Sequence, residues 1–172
     1  LVGSEMCIRD RFRTYAYPPQ FNSANLSIRS FVNRGPEKVI GSRDGLFYIN
    51  EATGIVKSFV KPVLTSDLIL TICFYEGEYY IGTYGGGMMV LNPQTLSLKY
   101  FTQGDTELFQ KGHIFCVKPD NRGNLWIGTS QGLFCYNGQT KQIKNFTSTN
   151  SQLPEGNVYE VSFDSTGKGW IA

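Results

Sequence analysis

Asp120-Asn121-Arg122-Gly123-Asn124-Leu125-Trp126-Ile127-Gly128-Thr129-Ser130-Gln131-Gly132-Leu133 reads as a turn, a strand, a second turn and the start of another strand. Its centre recurs along the chain as Val39-Ile40-Gly41-Ser42-x-x-Gly45-Leu46 and as Tyr80-Ile81-Gly82-Thr83-x-x-Gly86-Gly87. A fourth copy begins at Trp170-Ile171-Ala172. The in-phase small residues Gly41, Gly82, Gly128 and Ala172 are 41, 46 and 44 residues apart. A period in the forties without helical periodicity predicts a propeller blade of four strands.

The third unit shows the pattern best. Ile114-Phe115-Cys116-Val117 forms a first strand, Leu125–Thr129 a second, Leu133–Asn137 a third and Gln142–Phe146 a fourth. Each is a run of β-branched and aromatic residues bounded by Gly, Asn or Asp. Asn50, Asn92 and Asn137 each precede a phenylalanine (Phe59, Phe101, Phe146) by nine residues, and the second unit carries one extra residue in its middle turn. No window has a 3.6-residue period, so almost no helix is expected. The fold class is all-β: a partial β-propeller of about three and a half four-stranded antiparallel blades in an open arc. The blades are expected at about 28–59, 69–101, 113–146 and, incomplete, 157–172. Residues 12–27 read as the end of a preceding blade and a linker. Residues 1–11 match no part of the repeat and read as a non-native, adapter-derived segment.

The repeated residues have physical reasons. The second strand is apolar on both faces, as a strand covered on both sides must be. Val39, Tyr80, Trp126 and Trp170 share one position and are expected to wedge between blades. The small residue two places later leaves room for the neighbouring blade. Alanine at 172 says that this position needs small size, since alanine avoids positive φ. Gly45 and Gly132, in the hairpin turns, are expected at positive φ, as are Gly77, Gly123 and Gly167 in the first hairpins.

Composition narrows the function classes. The formal net charge of +2 has no basic run behind it, so direct nucleic-acid binding gets no support. No stretch approaches the ~18 apolar residues of a membrane span. Within the repeat lie Cys73, Cys116 and Cys135. Cys116 and Cys135 are on strands one and three of one blade, about twice the ~4.8 Å strand spacing apart and beyond the ~7 Å reach of a disulfide. Spacing aligns Cys73 with Val117, out of phase with Cys116, so those two are expected to face opposite ways. All three read as small buried hydrophobes.

The 120–133 motif resembles the two-component regulator propeller repeat. Tyr136-Asn137, Leu91-Asn92-Pro93, Phe-Thr at 101–102 and 146–147, and Leu153-Pro154-x-x-Asn157-Val158 agree with it, and the resemblance covers roughly residues 28–172. The first unit, with Val39 and Ser42, is the weakest copy. The resemblance implies a larger parent: tandem propellers, an immunoglobulin-like domain, a membrane helix, a histidine kinase, a receiver and a DNA-binding domain. In that family the propellers are the extracytoplasmic, periplasmic sensor of gut Bacteroidetes regulators, which respond to oligosaccharides and control polysaccharide-use genes. It implies as partners an oligosaccharide ligand, the remaining blades and downstream domains of the parent, and a homodimer. Any kinase activity would reside in the parent, and no cofactor is implied.

For an enzyme the residues offer little. His113 is the only histidine, so a two-histidine metal site within the chain is excluded. Asp120 and Asp164 are equivalent repeat positions at hairpin starts, where turn stabilisation competes with an acid pair for glycoside cleavage, which needs both carboxylates at one site. Gly85-Gly86-Gly87 lacks the Lys-Ser/Thr and the helix of a phosphate loop. No catalytic residue and no metal ligand is assigned. The candidates for ligand binding are residues that vary where the repeat otherwise holds: Arg43, Asp44, Tyr84 and Gln131 in the turns between strands two and three, and His113 and Asn157 at the start of strand one. Arg and Asp can hydrogen-bond sugar hydroxyls and Tyr84 can stack on a sugar ring. The same residues also serve as ordinary solvated turn residues and strand caps.

The leading function is therefore a non-catalytic sensor propeller. A protein-interaction scaffold and a carbohydrate-active enzyme propeller are the alternatives. As an isolated polypeptide, blades that do not close a ring expose apolar faces and unpaired edges, and low solubility is expected.

Overall fold

The computed structural model describes residues 27–104 and 106–172; the expectations for 1–11 and for 12–26 lie outside them. Three four-stranded antiparallel sheets follow one another along the chain. The first holds β1 (Ile28–Arg34), β2 (Glu37–Ser42), β3 (Gly45–Asn50) and β4 (Ile55–Phe59). The second holds β5 (Ile69–Tyr75), β6 (Glu78–Thr83), β7 (Met88–Asn92) and β8 (Ser97–Tyr100). The third holds β9 (Ile114–Pro119), β10 (Asn124–Thr129), β11 (Gly132–Asn137) and β12 (Gln142–Phe146). A two-stranded sheet of β13 (Val161–Phe163) and β14 (Gly169–Ile171) comes last. Within each sheet the strands lie side by side in chain order, and the first strands β1, β5, β9 and β13 run against one another. The first strands are thus innermost, and the sheets fan outward as blades of an open propeller.

The core lies between blades. Val39, Tyr48, Ile69, Tyr79 and Ile81 pack the first blade on the second, and Tyr80, Phe101, Ile114, Ile127 and Tyr136 pack the second on the third. The small residue of the repeat makes this possible. A Cβ on Gly41 would lie 2.5 Å from Ile69 Cγ2, one on Gly82 2.7 Å from Ile114 Cγ2, and one on Gly128 2.6 Å from the Val158 carbonyl oxygen. In all three the first strand of the following blade, or its approach, crowds the position, and at Gly82 and Gly128 the glycine's own first strand does so too through Thr71 and Cys116. None of the three glycines has positive φ, whereas Gly45 and Gly132 have φ of 127° and 104°. Size rules at the first set and backbone conformation at the second.

The Ser/Thr after the small residue closes the turn between strands two and three. Ser42, Thr83 and Thr129 are fully buried, and each hydroxyl donates to the carbonyl of the glycine ending its turn (Gly45, Gly87, Gly132) at 2.9–3.0 Å. The same oxygens accept from the amides of Asp44, Gly86 and Gln131. Asn50, Asn92 and Asn137 accept turn amides between strands three and four. Both arrangements satisfy polar groups where a tight turn leaves them without ladder partners.

Asp120 holds the first hairpin of the third blade. Its carboxylate accepts from the amides of Arg122 and Asn124, from Asn124 Nδ2 and from Trp126 Nε1, all at 2.8–2.9 Å. Asp164 accepts in the same way from the amides of Thr166 and Lys168. These are the turn-stabilising roles that the repeat suggests. Burial alone would raise the Asp120 pKa, but the hydrogen bonds outweigh it and hold the group below the ordinary carboxylate range. A depressed folded-state pKa gives stability that is present above the unfolded value, about pH 4, and lost as pH falls through the folded one. Asp120→Asn is therefore expected to be less stable than the parent at neutral pH, with the gap narrowing below about pH 4. Thermal melts of both proteins across the acid range check this, and a gap independent of pH contradicts it.

Four details depart from the sequence expectations. A short helix, α1 (Thr106–Lys111), joins the second blade to the third. Its Leu108 and Phe109 enter the core, which explains a helix too short to show a period. Of the four wedge positions, Val39 and Tyr80 are buried and Trp126 is half-buried between Phe146 and Phe163, but Trp170 is 59% exposed. No sheet packs over Trp170 among the described residues. The strand register pairs Cys73 with Tyr80 and Lys118 with Trp126, so Cys73 aligns with Lys118 rather than Val117. The turn between Pro119 and Asn124 is longer than that between Tyr75 and Glu78, which shifts the spacing. Cys73 and Cys116 accordingly project the same way, each toward the following blade. Finally, Cys135 is half-buried; all three thiols are free.

Candidate ligand-binding site at the start of the first strands

Each first strand is an edge strand, so half of its backbone groups point away from its own sheet and need other partners. Neighbouring blades supply them. The Ile72 amide donates to Ser30 Oγ at 2.9 Å and the Val117 amide to Thr71 Oγ1 at 3.3 Å. Ser30, Thr71 and Cys116 occupy one register position, and the Cys116 thiol lies beside the Val161 amide. These contacts fix the first strands against one another and make the inner surface a firm base for the side chains at its rim.

Tyr84 stands on that rim. It is 51% exposed, and its ring lies 4.0 Å, centroid to centroid, from His113 of the next blade, tilted by 31°. Its turn is pinned from two sides. The Tyr84 amide donates to the Leu68 carbonyl at 3.0 Å, Ser66 Oγ to the Tyr84 carbonyl at 2.9 Å, and Thr65 Oγ1 to the Gly86 carbonyl at 2.6 Å. On the other side the Gly87 amide donates to the Gly112 carbonyl at 2.9 Å, and the end of α1 sits where a Cβ on Gly87 would lie. The extra glycine of this turn is thus a close approach between turn and helix.

His113 links Tyr84 to the rest of the inner surface. Its ring stacks on Phe115 at 6.1 Å, and Phe115 meets Tyr159, just before β13, at 4.7 Å. The His113 carbonyl accepts from the Ser130 amide at 3.2 Å. Nδ1 of His113 is buried and has no hydrogen-bond partner among the described residues. An unsatisfied buried nitrogen costs on the order of 1–3 kcal/mol, so it marks this ring as the place to look for a polar ligand group.

The six candidates therefore fall into separate places. Tyr84 and His113 are in direct contact. Asn157 joins them through Tyr159, whose hydroxyl accepts from Asn157 Nδ2 at 2.7 Å. Gln131 lies one turn further on, in a cavity of about 290 Å³ lined by Ser130, Thr147, Leu153 and Glu155. Arg43 and Asp44 are in the equivalent turn of the first blade, and no hydrogen bond or ring contact among the described residues joins them to Tyr84. Phe115 and Tyr159 belong to the aromatic row but were not among the residues singled out from the sequence. The signal that marks them is the residue after the in-phase aliphatic (Ile28, Ile69, Ile114, Val158), which varies as Arg29, Leu70, Phe115 and Tyr159.

Among the described residues no group of three or more His, Cys, Asp or Glu side chains is placed to hold a metal ion. No helix there is long and apolar enough to cross a membrane.

A family model described as "Two component regulator propeller" matches residues 109–131. The chain is similar to the extracellular domain of hybrid two component system BT3049 from B. thetaiotaomicron, with 26% identity and a TM-score of 0.66 over 96% of this chain and 22% of that one. The extracellular domain of hybrid two component system BT4673 from the same organism aligns with a TM-score of 0.70 at 21% identity, over 90% of this chain and 21% of that one. PorZ, a surface component of the type-IX secretion system of Porphyromonas gingivalis, shares the fold at 16% identity and a TM-score of 0.67, over 91% of this chain and 26% of its own. No curated protein sequence matches. The chain spans about a fifth of the length of the first two structures.

Proposed function

We propose, from a chain that carries the two component regulator propeller repeat and is similar to extracellular sensor domains of hybrid two-component systems, that it is part of a periplasmic sensor propeller. Its ligand is an oligosaccharide. Its output is a signal to a transmembrane histidine kinase in the same protein, which controls transcription of polysaccharide-utilisation genes through a phosphorelay. The chain itself is non-catalytic, and the parent acts as a homodimer.

The observation that carries the ligand side of this reading is Tyr84. An exposed aromatic ring, backed by His113 and held in a turn fixed by hydrogen bonds on both sides, presents a rigid apolar face beside polar groups. The C–H face of a sugar ring needs that combination. Rigidity matters, because an ordered platform loses little entropy when the ligand binds. The signalling side follows from the packing. Blades locked through their first strands move as a body, so ligand binding shifts one propeller against its neighbour rather than deforming it.

The complete protein in membrane vesicles, supplied with ATP and a panel of oligosaccharides, tests the reading. At least one oligosaccharide is expected to change phosphorylation. Tyr84→Ala is expected to need at least tenfold more of it, about 1.4 kcal/mol. Phosphorylation indifferent to every oligosaccharide contradicts the proposal.

A further inference from the structure

The first strands of the three full blades break their ladders at the same place. In the first blade Ile28 pairs with Ser42 and Ser30 with Gly41, which leaves Arg29 without a partner. Leu70 is skipped between the pairs Ile69–Thr83 and Thr71–Gly82, and Phe115 between Ile114–Thr129 and Cys116–Gly128. At the last sheet the amides of Tyr159 and Glu160 both donate to the Ala172 carbonyl, at 2.8 and 3.2 Å. A bulge puts one extra residue into a strand and re-aims its side chain. In the second and third blades the flanking residues Ile69, Thr71, Ile114 and Cys116 are buried while Leu70 and Phe115 between them are half-buried. Tyr159 is exposed after the buried Val158, and Arg29 is exposed beside Ile28, which is itself 51% exposed. Phe115 and Tyr159 touch across two sheets, so the bulge residues share one surface on the innermost strands.

We propose that Arg29, Leu70, Phe115 and Tyr159, with Arg43 and Tyr84 on the rim, form the specificity-determining wall for an anionic oligosaccharide, one whose sugar rings carry carboxylate or sulfate groups. This rests on the reading of the ligand as an oligosaccharide. The repeat supplies the same backbone in every blade and varies the side chain at two positions. Beyond the first blade these positions carry Leu70 and Phe115 on the bulges, Tyr159 at the matching place before β13, and Tyr84 and Ser130 on the rim. In the first blade both are arginine: Arg29 on the bulge and Arg43 in the turn equivalent to that of Tyr84. The result is a wall with a ring-stacking stretch at one end and two guanidinium groups at the other. Neither guanidinium is in an ion pair among the described residues. Of the acids close by in sequence, Glu37 pairs with Arg34 and Glu51 with Lys38, and Asp44 is in no ion pair among the described residues. A planar guanidinium matches the two oxygens of a carboxylate or sulfate, while the aromatic rings accept the C–H faces of the sugars to which those groups are attached.

The test is equilibrium binding to the complete protein of three trisaccharide-sized probes: an oligogalacturonide, a sulfated oligosaccharide and neutral maltotriose. The expected result is that at least one acidic probe binds at least tenfold more tightly than maltotriose. Arg29→Ala should weaken that probe at least tenfold, and Tyr159→Ala should do the same while Tyr159→Phe keeps most of the affinity. Lys144→Ala, on the outer strand β12, should change nothing. Which acidic probe responds identifies carboxylate or sulfate as the group read. Binding of maltotriose as tight as that of the acidic probes, or bulge variants all within twofold of the parent, overturns this proposal and leaves the oligosaccharide reading standing. Absence of binding by every oligosaccharide overturns both.

Discussion

Gly82→Val is expected to destabilise the protein by about 3 kcal/mol or more, at the upper end of overpacking effects. The Cβ of any residue at 82 falls 2.6 Å from Thr71 Cγ2 and 2.7 Å from Ile114 Cγ2. Neither obstacle can swing away. Thr71 is held by the Val117 amide on its hydroxyl, and Ile114 is fully buried in the core between the second and third blades. Relief therefore requires Thr71, the cross-strand neighbour in the same blade, to shift and the third blade to move away from Ile114's side, which opens the aromatic packing of Tyr80, Phe101 and Tyr136 behind them. Gly82→Ala adds the Cβ alone and is expected to cost less, about 1–2 kcal/mol. Urea denaturation measures both. The midpoint should fall in the order parent, Ala, Val with little change in slope, because the surface exposed on unfolding is nearly the same. A Val variant within about 0.5 kcal/mol of the parent, the usual range of surface substitutions, would show that the blades do not approach as described.

Tyr75→Phe is the second large effect, at about 2–3 kcal/mol for loss of one oxygen. The Tyr75 hydroxyl donates to the Gly123 carbonyl at 2.7 Å and accepts from the Gly138 amide at 2.9 Å. Both partners are in turns of the third blade, so one atom of the second blade ties down two hairpins of the next. Phenylalanine keeps the ring and its edge-to-face contacts with Tyr80 and Tyr136. It leaves the buried Gly138 N–H without its acceptor, and removal of one partner of a buried pair costs more than the bond contributes. Thermal melts give the size of the effect and hydrogen exchange gives its place. The Gly138 amide should exchange faster in the variant even where the global stability difference is corrected for. Unchanged melting and unchanged exchange contradict this role.

Much of the fold was legible in the sequence because a repeat averages its own noise. One copy of Trp-Ile-Gly-Thr is weak, but the four in-phase positions separate size from backbone conformation at the small residue, and the structure bears out that separation at Gly41, Gly82 and Gly128. What was hidden depended on local length. The alignment of Cys73 slipped by one because turn length differs between blades, and α1 contributes only Leu108 and Phe109 as an apolar signal. At the candidate site, Tyr84 and His113 attracted notice as departures from the repeat, and they prove to be in contact. Phe115 and Tyr159 did not, because an aromatic residue in a first strand looks like core. Only the bulge, a feature of hydrogen-bond register, shows that this position leaves the core.

The inner rim around Tyr84 is expected to bind a sugar. Isothermal titration of an oligosaccharide panel into the complete protein and into its Tyr84→Ala variant measures this. The expected result is saturable binding of at least one oligosaccharide to the parent, weakened at least tenfold in the variant while its melting temperature is unchanged. Binding of equal strength in both proteins, or none to the parent, would contradict it.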